Sequence, residues 1–152
     1  MKNIALITTG GMGKRMGADC PKQFIEVKGK PIVAYTIEKF QENETVDEIV
    51  LVLPEDYLEE GKKLFGHYSK ITHFAAGGKE RINSVLAGLE FCANEDFVAI
   101  HDGVRPFIDT ALITKGFSMV RKEPKAGFII AVKEKNTVKR VIDNTVIETL
   151  DR

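Results

Sequence analysis

Apolar residues along this chain fall into two alternating patterns. The first is the short unbroken run. Ile49–Leu53 (IVLVL), ended by Pro54, is the clearest, and Lys2–Thr9, Ile71–Ala75, Phe97–Ile100 and Gly127–Val132 are similar. Unbroken apolar runs of this length are typical of strands covered on both faces in a parallel sheet. The second pattern is the stripe at helical spacing. Val33, Ile37 and Phe40, with Thr36 as the one polar member, predict a helix from Pro31, in its first position, to about Asn43. Tyr57, Leu58, Leu64 and Phe65 predict a helix over Glu55–Phe65, and Ile82, Val85, Leu86, Leu89 and Cys92 one over Lys79–Ala93. Leu112, Ile113, Phe117 and Val120 follow Asp109, a suitable cap. Phe24–Val27 reads as a short extended piece, turned by Lys28-Gly29-Lys30.

Strands and helices alternate, so the expected fold is α/β, Rossmann-like, with a mostly parallel sheet of five strands. The last stretch departs from that rhythm. Thr137–Ile142 and Thr145–Leu150 flank Asp143-Asn144, which predicts a β-hairpin. An isolated hairpin is marginal in water, so this arm is expected to lie on the domain or pack on another chain. The expected organisation is one domain, with residues 1–133 as its α/β part and 134–152 as its arm.

Composition narrows the function classes. The 152 residues carry 22 basic and 22 acidic side chains, a formal net charge of zero. Nucleic-acid and membrane-surface binders usually show a basic excess, so neither partner is expected. No apolar run approaches a bilayer span, and Ile4–Thr9 is too short for a signal peptide. The cysteines are Cys20 and Cys92 alone, too few for a disulfide framework or zinc site, which points to a reducing cytoplasm.

Chemistry is concentrated where the predicted strands end. Strand one runs into Gly10, Gly11 and Gly13, followed by Lys14, Arg15 and, past Pro21, Lys22. Glycines let backbone N–H groups approach a ligand closely, and consecutive N–H groups form an anion hollow. Basic side chains beside it suggest a phosphate chain. Two common glycine motifs are excluded. A P-loop needs G-x-x-x-x-G-K-[ST], but Thr8 stands for the first glycine and Arg15 for the Ser or Thr. A dinucleotide fingerprint needs a third glycine where Met16 stands, and Pro21 interrupts the helix that would follow. Gly77–Arg81 and His101–Pro106 also join glycine to charge at strand ends, the edge where open parallel sheets bind ligands.

The glycine turn G-M-G-K-R-M, followed by P-K-Q (Pro21–Gln23), resembles the N-terminal signature of the sugar-phosphate nucleotidyltransferases. GGKERINSVLAGL (Gly77–Leu89), HDGVRPF (His101–Phe107) and the hairpin ending in TLDR are similar to further segments of its cytidylyltransferase branch, which acts on methylerythritol or ribitol phosphate. The likeness runs from Ile4 to Arg152, and members of the branch continue well beyond that point.

This resemblance implies a magnesium-dependent transfer of CMP from CTP to a polyol phosphate. Gly10, Gly11 and Gly13 would wrap the triphosphate beside Thr9. Arg15 and Lys22 would act on it catalytically. Gly78, Arg81 and Ser84 would hold the cytidine end, and Gly103 would approach the ribose. Asp102 would ligate the metal. Arg105, Thr137 and Arg152 would hold the acceptor phosphate, the last two from the arm of a second subunit in a homodimer.

Each residue also has a purely structural reading: Asp102 as a strand-end turn residue, Arg105 in an internal ion pair, Thr137 as a strand threonine, and His101 as a packing residue. Thr9-Gly10-Gly11 and Val104 lean towards the ribitol type, SVLAGL and DCPKQ towards the methylerythritol type. Rival functions are an inactive nucleotide-binding module and, disfavoured by Met16 and Pro21, a dinucleotide oxidoreductase.

Overall fold

Four of the apolar runs form one parallel sheet in the computed structural model, which describes residues 1–9, 21–94 and 96–151. They are β1 (Asn3–Thr8), β4 (Glu48–Pro54), β5 (Ile71–Gly77) and β6 (Phe97–Asp102). Two short strands, β2 (Glu26–Val27) and β3 (Lys30–Pro31), pair separately, and the sheet order is β5-β4-β1-β6. The register sets Leu6 beside Val50 and Ile100, and Thr8 beside Val52 and Asp102. The ends of β1 and β6 therefore lie side by side.

Side-chain alternation divides the core between two faces. On one, Ala5, Ile7, Ile49, Leu51 and Leu53 pack with the helices α1 (Ile32–Gln41), α2 (Leu58–Phe65) and α4 (Thr110–Lys122) through Val33, Ile37, Phe40, Phe65, Ile113 and Phe117. Truncating a buried aromatic such as Phe40 would cost about 3–5 kcal/mol. On the other face, α3 (Arg81–Leu89) lies over Leu6, Val52 and Ala75. Gly88 permits that closeness, since a Cβ there would fall 2.7 Å from Leu6 Cδ1.

Local signals explain the helix boundaries. The Asp109 carboxylate accepts from the Ala111 N–H at 2.8 Å, as a cap should. Pro31 is the residue before α1 rather than its first helical residue, because it already pairs in β3 with Glu26. The helix expected over Glu55–Phe65 begins with a 3-10 turn at Glu55–Tyr57. Phe24 closes the 3-10 turn Lys22–Phe24 rather than starting a strand.

Three expectations about burial fail. Gly127–Val132 is not a strand, and Ile129 and Val132 are 92% and 94% exposed. An apolar run records a tendency to be buried, whereas a strand also needs a neighbouring edge, and no described strand lies beside this one. Ile82 and Leu86 are more than half exposed, because among the described residues no other helix packs over α3. Leu64 is 40% exposed, while Gly61 is buried against Leu53 instead.

The predicted hairpin forms from β7 (Lys139–Ile142) and β8 (Thr145–Thr149). Asp143 and Asn144 have φ of 46° and 61°, the left-handed pair that a two-residue hairpin turn requires. Both strands are exposed throughout. No described helix is long and apolar enough to cross a membrane.

Candidate functional site

A cleft of about 410 Å³ opens at the carboxyl ends of the sheet strands. Thr8 and Thr9 line it from the end of β1, Lys22 and Gln23 from the 3-10 turn, and Gly78, Lys79, Glu80, Arg81 and Ser84 from the β5–α3 connection. Asp102, Val104 and Arg105 complete it from the end of β6. In a chain with no net charge, four cationic side chains here face two carboxylates. A concave excess of positive charge is suited to a polyanion.

Each wall has a local cause. Thr9 is locked to the sheet, its N–H and Oγ1 both donating to Val52 O at 2.8 and 2.6 Å. At the start of α3, Asn83 Oδ1 accepts from the Glu80 N–H at 3.2 Å. Buried Ser84 accepts from the Gly78 N–H at 3.2 Å, so the glycine turn after β5 is folded back onto its own helix. A Cβ on Gly78 would meet Asn83 Cβ at 2.4 Å, which is why glycine fits there.

Asp102 is the electrostatic centre. Arg81 Nε and a terminal nitrogen donate to Oδ1 at 3.2 and 3.1 Å, and Arg105 Nε donates to Oδ2 at 2.8 Å. Burial pushes the Asp102 carboxyl up, but the Arg105 and Arg81 hydrogen bonds outweigh it and hold the group below the usual carboxylate range. His101 is structural in its contacts. Its ring packs on Phe40 with centroids 5.2 Å apart, and its Nε2 lies 3.1 Å from Arg105 O. A carbonyl only accepts, so Nε2 carries the hydrogen. Burial lowers the His101 pKa, although the Arg105 carbonyl acts in the opposite sense.

The cleft thus unites Thr9, Lys22, Gly78, Arg81, Ser84, Asp102 and Arg105 from the sequence-derived set. Gly103 sits behind the cleft rather than in it. Its N–H donates to Thr8 O at 2.9 Å, its carbonyl accepts from Thr36 Oγ1 at 2.7 Å, and a Cβ there would lie 2.2 Å from Thr9 Cγ2. It is a packing glycine, which also explains the one polar member of the α1 stripe. Thr137 is exposed just before β7 and does not line the cleft. Gly10, Gly11, Gly13, Arg15 and Arg152 lie outside the described residues.

Thr8, Gln23, Lys79, Glu80 and Val104 also line the cleft, although sequence reasoning gave them no site role; Thr8 ends β1, and Val104 lies between Asp102 and Arg105. The signal for Gln23 was its place directly after Lys22, and that for Lys79 and Glu80 their position between Gly78 and Arg81. Among the described residues, no group of three or more His, Cys, Asp or Glu side chains could hold a metal by itself.

Comparison with known proteins adds independent information. A family model described as 2-C-methyl-D-erythritol 4-phosphate cytidylyltransferase (IspD) matches residues 3–152. The chain is 40% identical over 146 residues to the protein of that name from Clostridium novyi, covering 94% of this chain and 62% of the relative. A Geotalea uraniireducens relative is 42% identical over 159 residues, 67% of its length. Among solved structures, the Anaerococcus prevotii 4-diphosphocytidyl-2C-methyl-D-erythritol synthase aligns with a TM-score of 0.82 at 30% identity, covering 99% of this chain and 64% of that one. The Francisella tularensis 2-C-methyl-D-erythritol 4-phosphate cytidylyltransferase aligns at 0.80 and 29%, covering 100% and 67%. The chain therefore spans about two thirds of the length of the relatives it matches.

Proposed function

Because the chain belongs to the 2-C-methyl-D-erythritol 4-phosphate cytidylyltransferase family, we propose that it transfers CMP from CTP to 2-C-methyl-D-erythritol 4-phosphate and releases pyrophosphate. The supporting observation is the convergence of Lys22, Arg81 and Arg105 around Asp102 in one cleft at the strand ends.

The chemistry needs no general base, because the acceptor phosphate oxygen is already anionic. It attacks the α-phosphorus of CTP; a P–O bond forms there, and the bond to the departing pyrophosphate breaks. The obstacle is mutual repulsion of two polyanions and the growing negative charge at phosphorus. Positioned cations lower both. Lys22 and Arg15 act on the triphosphate, with Gly10, Gly11 and Gly13 as its backbone cradle. Thr9 stands beside that cradle, and Gly78, Arg81 and Ser84 hold the nucleoside end. Arg105 holds the acceptor phosphate. Losing one such cation would cost roughly 2–4 kcal/mol of transition-state stabilisation, by analogy with an oxyanion donor.

Asp102 supplies a single carboxylate beside a cationic cleft. That donor set suits a magnesium ion whose other ligands are phosphate oxygens and water. Bound there, the ion neutralises charge on the triphosphate and orients it. Asp102 would hold the ion through a carboxylate whose two oxygens also accept from Arg81 and Arg105.

We further read residues 134–152 as a dimerisation arm that brings Thr137 and Arg152 to the acceptor phosphate of a second copy, in a cytoplasmic homodimer. Val141, Ile142, Val146 and Ile147 are about half exposed on the hairpin, as an arm without its partner would leave them. Light scattering of the chain and of a version lacking the hairpin tests this: a dimer that becomes a monomer supports the arm, and a monomer in both cases refutes it.

The matched family supports methylerythritol phosphate over ribitol phosphate as acceptor. Pyrophosphate release from CTP, magnesium and each acceptor separates the two. Release with ribitol 5-phosphate alone would reassign the acceptor. CTP binding without release on either would reduce the protein to a binding module.

A further inference from the structure

Three consecutive residues of the turn after Pro21 face three ways. Phe24 goes into the core, stacked on Tyr57 with ring centroids 5.1 Å apart. Lys22 is half-buried and lines the cleft, and its side chain has no hydrogen-bond or ion-pair partner among the described residues. Gln23, between them, is a fully buried polar side chain that also lines the cleft. Its Nε2 donates to Thr9 O at 2.7 Å, and Thr9 is itself fixed to β4 by two hydrogen bonds to Val52 O. Its Oε1 is buried without a partner, the one buried side-chain N or O atom so left among the described residues.

An unpaired buried acceptor costs stability and calls for a reason. Leucine or methionine would fill the same volume without the orphan, but each would leave Thr9 O without this donor. What the amide alone achieves is the tie between the Lys22 turn and the end of β1. Among the described residues the turn is otherwise held by Phe24 N–H to Pro21 O at 2.9 Å, Ile25 N–H to Lys22 O at 3.3 Å and Ile32 N–H to Ile25 O at 3.0 Å, and by Phe24 packing. None of these hydrogen bonds is made to β1.

We propose that Gln23 is a positioning residue that sets Lys22 at its working distance from the end of β1, so that the lysine meets a bound polyphosphate. It acts through Lys22 and does not touch the ligand. This rests on the polyphosphate reading of the cleft, and it deepens that reading by assigning the residue that makes Lys22 effective.

The test is a double-mutant cycle on the full chain: Gln23→Met, Lys22→Ala and both together. The probe is inorganic tripolyphosphate with magnesium, measured by titration calorimetry, and melting temperature is recorded for each variant. Lys22→Ala is expected to weaken binding about tenfold, the loss of one charge-assisted hydrogen bond. Gln23→Met should weaken it by a smaller factor, with only a modest fall in melting temperature, because removal of the orphan acceptor partly offsets the bond lost by Thr9 O. The double variant should bind no worse than Lys22→Ala alone, since Gln23 has nothing left to position.

Unchanged binding by Gln23→Met would overturn the proposal. So would losses that multiply in the double variant, or weakened binding explained by a large drop in melting temperature. Binding does not require turnover, so a chain that behaves as expected here yet releases no pyrophosphate contradicts the proposed reaction and leaves the role of Gln23 standing.

Discussion

Gly103→Ala separates a packing glycine from a ligand-facing one. A Cβ at this position would lie 2.2 Å from Thr9 Cγ2, 3.2 Å from Val33 Cγ2 and 3.3 Å from Ile7 Cγ2. The two longer contacts need only a few tenths of an ångström of relief. The first is a collision. Thr9 cannot swing its methyl away cheaply, because rotation about its Cα–Cβ bond would break the 2.6 Å bond from Oγ1 to Val52 O. Nor can the backbone of Gly103 retreat, held as it is by Thr8 O and Thr36 Oγ1. Overpacking of this kind costs about 1–3 kcal/mol. At about 2–4 °C per kcal/mol for a domain of this size, the melting temperature should fall by several degrees. Thr9→Ser removes the colliding methyl and keeps the hydroxyl bond, so Gly103→Ala/Thr9→Ser should recover much of the loss. Thermal unfolding of the four proteins in the cycle measures this. A Gly103→Ala variant as stable as the parent, with weakened CTP binding, would refute the packing assignment and return Gly103 to the ligand.

Three further outcomes are expected. His101 has a folded-state pKa below its ordinary 6.5, so its protonated form is disfavoured on folding; stability is full above pH 6.5 and declines as pH falls from there towards the lower folded value. Melting curves from pH 7.5 to 5 should show that decline and flatten in His101→Gln; an unchanged slope would show that another group carries it. Asp102, depressed by its arginines, stabilises the fold above the ordinary carboxylate range and loses that contribution only as pH drops through its lowered value, so Asp102→Asn should flatten the profile only below about pH 4. Arg105→Ala should raise the acceptor KM and lower turnover while leaving CTP affinity within about twofold; an equal loss of CTP affinity would place Arg105 on the nucleotide instead.

Much of the fold was legible because burial and periodicity leave local marks. Ile49–Leu53 was readable as a strand covered on both faces, and every residue of it is buried. Asp109 and Asp143-Asn144 announced a cap and a turn by side-chain and backbone chemistry that act within a few residues. The cleft was legible in outline because glycine and charge recur wherever a strand ends. The failures share a cause: the sequence pattern says how apolar an element is, but not what covers it. Gly127–Val132 has the composition of a strand without a described edge beside it, and Ile82 and Leu86 lie on a helix over which no other described helix packs. Thr36 and Gln23 escaped assignment because each is a buried polar residue whose partner, Gly103 or Thr9, is set by the tertiary fold. Asp102 and Arg105 illustrate a third case. Their structural reading is seen directly in the Arg105–Asp102 ion pair, and the proposed functional roles would reorganise that same pair around a metal or phosphate.

The central claim is that the cleft performs cytidylyl transfer, and phosphorus NMR of one reaction tests it most directly. With CTP, magnesium and 2-C-methyl-D-erythritol 4-phosphate, the full chain should consume the triphosphate signals and yield inorganic pyrophosphate together with a new diphosphate diester, and Lys22→Ala should slow this strongly while melting normally. A spectrum in which CTP persists beside untouched acceptor, with the protein folded and CTP bound, would contradict it.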